Sequence, residues 1–354
     1  MTKSRGKYRV IQWSTGQTGQ HSLRGILDHP QLELAGLWCH NDANEGRDAG
    51  DLCGRPKTGV VATQDVDALL SLDGDCVCYM STDMMRPLPE LVEELGKLLA
   101  SGLNVVGPQT SLGFPLGIDK ELLDVLTGAC ERGASSLYIS GLSPDANLVL
   151  MTNVASVCHR VESVSVAEML TMNHYNEPFV LAGIGLGVAP SEETYELMYE
   201  HLWTPLIKHL AHDFGVELDS GYLHRHETLI ADERVELPGS VVEPGTVTAA
   251  HHSMSGLIDG TARITTHGYY WAGEYPDVWP SLPGEGGYRI EIAGNPGITL
   301  DYCFSHEENV TVAVLVATAM RPVNAIPTVC NAAPGLLTLL DLPVVMPSTN
   351  WNSR

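Results

Sequence analysis

The sequence is short of positive charge. Its 354 residues hold 20 Lys and Arg against 43 Asp and Glu, a formal net charge of −23. Such a balance repels phosphate backbones, so no nucleic acid is expected as a partner. No apolar run of membrane-span length is read, so no membrane is expected either. The basic start, Met1 to Lys7, leads into a strand pattern and not into a signal-peptide core. The protein is therefore read as cytoplasmic. Cys-x-x-Cys is absent. The eight cysteines (39, 53, 76, 78, 130, 158, 303, 330) fall mostly in apolar contexts such as Asp75-Cys-Val-Cys-Tyr79, which suits buried, reduced thiols. His209-x-x-His212 and His224-x-His226 lack a third ligand at metal spacing, so no metal site is expected.

What is present begins at the N-terminus. An apolar strand, Tyr8 to Trp13, runs into Ser14-Thr15-Gly16-Gln17-Thr18-Gly19, and His21 to Asp28 has a helical period. Strand, glycine turn and helix together place a pyrophosphate on a helix N-terminus. Gly16 lets backbone approach the phosphates, and Gly19 lets the helix pack on the strand. The full G-x-G-x-x-G is incomplete, because Ser14 stands at the first glycine's place. Residues 14–19 are thus the first cofactor-binding candidates. A second strand, Leu32 to Cys39, ends at His40-Asn41-Asp42, with Arg47 nearby. A neutral end with an arginine beside it leans toward the 2′-phosphate of NADP, with NAD possible. The competing reading makes Arg47 a solvated loop residue.

Strand and helix patterns then alternate as far as Tyr138-Ile-Ser140, which predicts a doubly wound parallel sheet in an α/β fold. Ligands bind beyond the carboxyl ends of such strands. Residues 16–19, His40-Asn41, Ser81-Thr82 and Pro108-Gln109-Thr110-Ser111 are expected to line one crevice. From Val161 the pattern alternates in short runs, apart from a helix expected over Ser191 to Phe214. It predicts an α+β domain with a mostly antiparallel sheet. Met320 to Leu340 reads as a helix interrupted at Pro327 and Pro334 and returning to the first domain. The expected domains are 1–146, completed by 320–354, and 147–319 for substrate and dimerisation.

Three segments carry a resemblance: Tyr8-Arg-Val-Ile-Gln-Trp-Ser-Thr-Gly16, Gly46-Arg-Asp-Ala-Gly50 and Ala319-Met-Arg-Pro-Val-Asn-Ala-Ile-Pro327. The chain resembles the dihydrodipicolinate-reductase-like oxidoreductases, in the branch of 2,4-diaminopentanoate dehydrogenase and the native amine dehydrogenases. The resemblance implies a Rossmann domain, a C-terminal substrate domain and a homodimer. It also implies NAD(P)-dependent hydride transfer between a nicotinamide and a ketone, imine or amine carbon. Members of that branch carry acidic residues in the loop that here reads Gln109-Thr110-Ser111, with no carboxylate. Their G-x-x-P-G turn is Gly141-Leu-Ser-Pro-Asp145 here. Asp145 is either a relocated acid or a helix N-cap.

Hydride transfer asks little of the protein beyond alignment and a proton donor. Thr110 and Ser111 offer hydroxyls at the right loop. Asn324 in the returning segment is a candidate for the carboxamide, or else a helix cap. In the second domain, His174-Tyr175, His251-His252 and His267-Gly-Tyr-Tyr-Trp271 are candidates for substrate contact and proton donation, with His267 and Tyr269, set on one face by strand alternation, as the preferred pair. Each is otherwise an ordinary sheet residue. A carbonyl reductase or alcohol dehydrogenase without ammonia, and a non-catalytic NAD(P)-binding protein, remain as alternatives.

Overall fold

The computed structural model describes residues 6–83, 86–112, 118–142, 146–190, 203–281, 284–305 and 309–347. The chain divides into two compact units, Met1–Ala146 with Leu315–Arg354, and Asn147–Val314.

The first unit begins with strand β1 (Tyr8–Trp13), helix α1 (Gln17–Asp28) and β2 (Leu32–Trp38). Then come α2 (Ala49–Cys53), β3 (Ala62–Thr63), α3 (Val66–Leu70), β4 (Cys76–Tyr79) and α4 (Leu88–Ala100). Next are β5 (Asn104–Gly107), α5 (Lys120–Gly133) and β6 (Ser136–Ile139). With β15 (Gly335–Leu337) these strands form a seven-stranded sheet, in the order β15-β6-β5-β4-β1-β2-β3. Its pairings are parallel throughout. Both faces are covered, as a parallel sheet requires. Val10, Cys76 and Cys78 face a layer with Leu23 and Ile26 of α1. Ile11, Val77 and Tyr79 face the opposite layer with Leu91, Leu95 and Leu99 of α4. Each such burial stabilises by roughly 1.5–3 kcal/mol.

Between β6 and β15 the chain builds the second unit, with α6 (Asn147–Ala155), β7 (Arg160–Thr171), α7 (Pro178–Gly183) and α8 (Thr204–Asp213). Of the helix expected over Ser191 to Phe214, positions 191–202 lie outside the described residues, and α8 begins at Thr204 with Trp203 as its N-cap. Strands β8 (Tyr222–Ile230), β11 (Val247–Ile258), β12 (Thr261–Trp271), β13 (Gly286–Asn295) and β14 (Ile298–Cys303) follow, with β9 (Val235–Leu237) and β10 (Ser240–Val242) as a separate hairpin. The main sheet runs β14-β13-β7-β12-β11-β8. Only the β7–β12 pairing is parallel. Its register sets Met169 opposite Tyr269 and Gly287, and Glu168 opposite Gly268 and Tyr288. Alternation then gives two faces, one with His251, His267, Tyr269 and Trp271, the other with Glu168, His252, Tyr270 and Tyr288.

The C-terminal segment departs from the sequence reading. Helix α9 spans Val310–Val329, so it starts ten residues before Met320 and contains Pro322 and Pro327. The described residues after it are not helical. Pro334 disfavours helix for the residue before it, and Gly335 takes a φ of 151°. The chain then adds β15 beside β6. By length and composition alone α9 is long and apolar enough to cross a membrane, with a mean hydropathy of 1.4, which the sequence reading did not register. Ala319, Val323, Ala325, Ile326 and Val329 are nevertheless fully buried in this structure. All eight cysteines are free thiols, but Cys158, Cys303 and Cys330 keep part of their surface exposed.

Candidate active site

Beyond Trp13, Ser14 N donates to Trp38 O at 3.0 Å. Ser14 adopts a φ of 86°, the left-handed conformation that a glycine at this place takes freely. Gly16 precedes α1 and supplies no side-chain cap, which leaves the helix N-terminus, with its N–H groups and positive dipole end, facing outward. A Cβ on Gly16 would meet nothing nearer than Ser14 Oγ at 3.9 Å, whereas one on Gly19 would stand 2.5 Å from Ser14 O. Space is open before the helix, and the turn closes tightly behind it. Gly16 and Gln17 are exposed, Thr18 is half-buried and Thr15 is buried. This cradle fits a dinucleotide pyrophosphate.

The loop after β2 is laced to that turn. Asn44 Nδ2 donates to Thr15 Oγ1 at 2.9 Å, and Arg47 Nη1 donates to Asn44 Oδ1 at 3.1 Å. Asn41 Oδ1 accepts from Ala43 N, and His40 is exposed. Both acids of the loop turn toward Gln64. Asp42 Oδ1 accepts from Gln64 Nε2 at 2.8 Å, and Glu45 Oε2 accepts from Gln64 N at 2.6 Å.

The strand order reverses between β1 and β4, so the ligand crevice lies at their carboxyl ends. In the strand order β2 lies on one side of that point, and β4 and β5 lie on the other. Ser81 is half-buried and Thr82 exposed. Gln109 is buried, and its Nε2 donates to both Tyr79 O and Ser81 O at 3.0 Å. Its amide nitrogen therefore ties two loops together. Gln109 Oε1 is buried without a hydrogen bond among the described residues. Half-buried Pro108 precedes it, and Thr110 and Ser111 follow in a 3₁₀ turn with part of their surface exposed. Ser111 N donates to Asp83 Oδ2 at 2.7 Å. The sequence reading missed Asp83, which reaches this loop from 28 positions away. Asn324 lies inside α9, not at a cap. Asp145 lies outside the described residues.

In the second unit, His267 and Tyr269 do share a sheet face, their rings 6.1 Å apart. His251, a sequence candidate outside the preferred pair, joins them. Its ring stacks on Tyr269 at 3.9 Å, and its Nε2 lies 3.2 Å from His267 Nδ1. Burial pushes both imidazoles down to about 4 and the Tyr269 phenol up to about 12. Near neutral pH all three are uncharged, which suits hydrogen bonding better than proton donation. A cavity of about 360 Å³ on this face is lined by Met169, Thr171, Trp271 and Tyr275, with His174 and Glu285 also on its wall. Tyr175 is anchored by its N–H to Met172 O at 3.0 Å, and burial raises its phenol. On the other face, Glu168 accepts from Tyr270 Oη at 2.9 Å and Tyr288 Oη at 2.5 Å. Burial raises its carboxyl, opposed by the two hydrogen bonds. His209 pairs with Asp213, 3.2 Å away on α8, and His224 and His226 sit exposed on edge strand β8. Among the described residues, no three His, Cys, Asp or Glu side chains gather for a metal.

The family model of the 2,4-diaminopentanoate dehydrogenase C-terminal domain matches residues 146–352. The chain belongs to this family. A Streptomyces virginiae amine dehydrogenase is 30% identical over 95% of this chain and 96% of its own length. The 2,4-diaminopentanoate dehydrogenase of Acetoanaerobium sticklandii is 23% identical over 68% of this chain and 67% of its own. Among solved structures, the Mycobacterium smegmatis amine dehydrogenase superposes with a TM-score of 0.77 at 18% identity, covering 96% of this chain and 97% of that one. A probable dehydrogenase from Thermotoga maritima gives 0.59 at 12% identity, covering 94% and 92%. The two superpositions share the fold. As a member of the diaminopentanoate dehydrogenase family, the chain is an NAD(P)-dependent oxidoreductase of the amine-dehydrogenase-like kind.

Proposed function

We propose that the chain interconverts a small ketone and the corresponding amine, using ammonia and a nicotinamide cofactor. The observation that carries this reading is the juxtaposition at the sheet's reversal point. The open N-terminus of α1 lies at the end of β1, while Thr110 and Ser111 follow β5 on a turn whose Ser111 N–H bonds the Asp83 carboxylate. The cofactor supplies hydride. Residues 14–19 hold its pyrophosphate, and the loop of His40, Asn41 and Arg47 holds the adenosine end. Ser81, Thr82, Pro108, Gln109 and Asn324 border the nicotinamide end. Thr110 and Ser111 donate hydrogen bonds to the heteroatom of the ketone or imine. Arg47 favours NADP, because Asp42 and Glu45 turn toward Gln64 and leave the guanidinium as the charged group tied to the phosphate turn. NAD remains the alternative cofactor. In the second unit, His174 on the cavity wall is the group proposed to contact substrate, and His267 and Tyr269 are uncharged groups on the same sheet face.

The supporting experiment follows oxidation of NADPH and NADH with a panel of ketones, with and without ammonium. Turnover that needs both ketone and ammonium is expected. Turnover with ketone alone makes the chain a carbonyl reductase, and cofactor binding without turnover makes it a binding protein. A homodimer in the cytoplasm completes the reading, and light scattering at twice the chain mass checks the assembly.

A further inference from the structure

We propose that Asp83 is the proton-exchanging carboxylate of this site. The inference rests on the reading of the reaction as reductive amination. Forming an iminium from a ketone and ammonium needs a group that first takes a proton and then returns one. The loop Gln109-Thr110-Ser111 offers none, since hydroxyls near neutral pH neither accept nor release a proton readily.

The structure brings the missing group from another loop. Asp83 follows β4, on the same side of the reversal point as β5, and keeps part of its surface exposed. Four hydrogen bonds fix its neighbourhood. Ser111 N donates to Asp83 Oδ2 at 2.7 Å, which orients the carboxylate. Gln109 Nε2 holds Tyr79 O and Ser81 O, which clamps the β5 loop onto the β4 loop. Arg86 N closes on Asp83 O at 3.3 Å. Thr110 and Ser111 share the turn whose Ser111 N–H the carboxylate accepts.

The proton balance closes on Asp83 alone. Ammonium gives its proton to the carboxylate and becomes ammonia. Its nitrogen bonds to the carbonyl carbon, the C=O π bond opens, and a proton moves from nitrogen to oxygen to give the carbinolamine. Protonated Asp83 then gives its proton to the carbinolamine hydroxyl. The C–O bond breaks, water leaves, and the iminium remains with Asp83 ionised again. The sum is ketone plus ammonium to iminium plus water. None of these steps consumes hydride.

Because iminium formation exchanges the carbonyl oxygen with water, it has a readout apart from redox turnover. The test compares the full-length chain with Asp83→Asn and Asp83→Glu. It measures ammonium-dependent loss of ¹⁸O from labelled ketone with oxidised cofactor present, cofactor affinity by fluorescence, and kcat/KM for ammonium against pH. The expected result for Asp83→Asn is cofactor affinity within twofold of wild type. Its oxygen exchange and kcat/KM fall about 10²–10⁴-fold, the range typical of a lost acid–base group, and the acid limb of the pH profile disappears. Asp83→Glu restores part of both. If the wild type shows ammonium-dependent exchange and turnover and Asp83→Asn matches it, Asp83 is not the exchanging group and the reaction reading stands. If the wild type shows neither with any ketone, the reaction reading itself fails and takes this assignment with it.

Discussion

The side-chain amide of Asn44 donates to the hydroxyl of Thr15 at 2.9 Å, joining the loop after β2 to the turn that precedes α1. The same Asn44 accepts from Arg47 through its other atom. One amide thus holds the guanidinium in register with the phosphate turn. A charge-assisted contact from Arg47 to a 2′-phosphate is worth about 1.5–3 kcal/mol. Arg47→Ala is expected to weaken NADPH binding about 10- to 100-fold and leave NADH binding nearly unchanged. Asn44→Ala should weaken both, because it frees the loop. Fluorescence titration with each cofactor separates the two, and equal losses for NADPH and NADH in Arg47→Ala would assign Arg47 to the solvated loop.

The two glycines of the turn make different demands. A Cβ on Gly19 would lie 2.5 Å from a backbone oxygen, which cannot swing aside as a side chain does. Gly19→Ala is expected to lower stability by about 1–3 kcal/mol and to lose cofactor binding with it. Gly16→Ala meets only open space, so its melting temperature should hold while cofactor affinity drops. Ser14 holds a left-handed φ at a cost of about 1–2 kcal/mol, so Ser14→Gly should recover up to roughly 1 kcal/mol. Thermal melts with and without cofactor check all three, and a stable, cofactor-binding Gly19→Ala contradicts this account of the turn.

The parallel sheet was legible because its strands are buried on both faces. Cys76-Val-Cys-Tyr79 is a fully buried run, and the turn signals around it are local. The end of the chain was less legible. Pro327 and Pro334 look alike as helix breakers, yet Pro327 sits inside α9 while Pro334 precedes β15. Tertiary packing of Val323, Ile326 and Val329 decided between them. Site residues chosen by strand-end position, such as Thr110 and Ser111, follow from topology. Asp83 and Glu168 do not, because their partners stand 28 and over 100 positions away and are set by loop lacing and sheet register. Gln109 shows the converse limit. Its place at a strand end suggested a ligand contact, but its amide nitrogen is spent on Tyr79 O and Ser81 O.

Glu168 gives a test of the second unit's covered face. Tyr288 is 1% exposed and donates to the carboxyl at 2.5 Å. Tyr288→Phe removes one of the two hydrogen bonds there and leaves the carboxyl less satisfied, which costs about 1–3 kcal/mol. Tyr270→Phe, at 2.9 Å, should cost a similar or smaller amount. Urea midpoints with an unchanged m-value measure both, and a neutral Tyr288→Phe shows that the carboxyl finds another donor.

The stacked imidazoles of His251 and His267 make stability fall on the acid side. Burial lowers both from 6.5 to about 4 in the folded chain. Between those values the unfolded chain binds more protons, so stability rises with pH across the window and is lost as pH falls from about 6.5 toward 4. Each imidazole contributes about 1.4 kcal/mol per pH unit inside the window. From pH 7.5 to 5.0 the expected loss is roughly 2 kcal/mol for each independent imidazole, and less for this pair if proton uptake at one opposes uptake at the other. His252 is lowered to about 4 as well, on the opposite face, so part of the acid loss persists in any variant of the pair. His267→Phe keeps an aromatic ring in the stack and removes one titrating group. Its loss between pH 7.5 and 5.0 should be smaller than that of wild type by about 1–2 kcal/mol. Urea unfolding at both pH values reads this directly. An unchanged difference in His267→Phe means that the imidazole is reached by water and titrates normally in the folded chain.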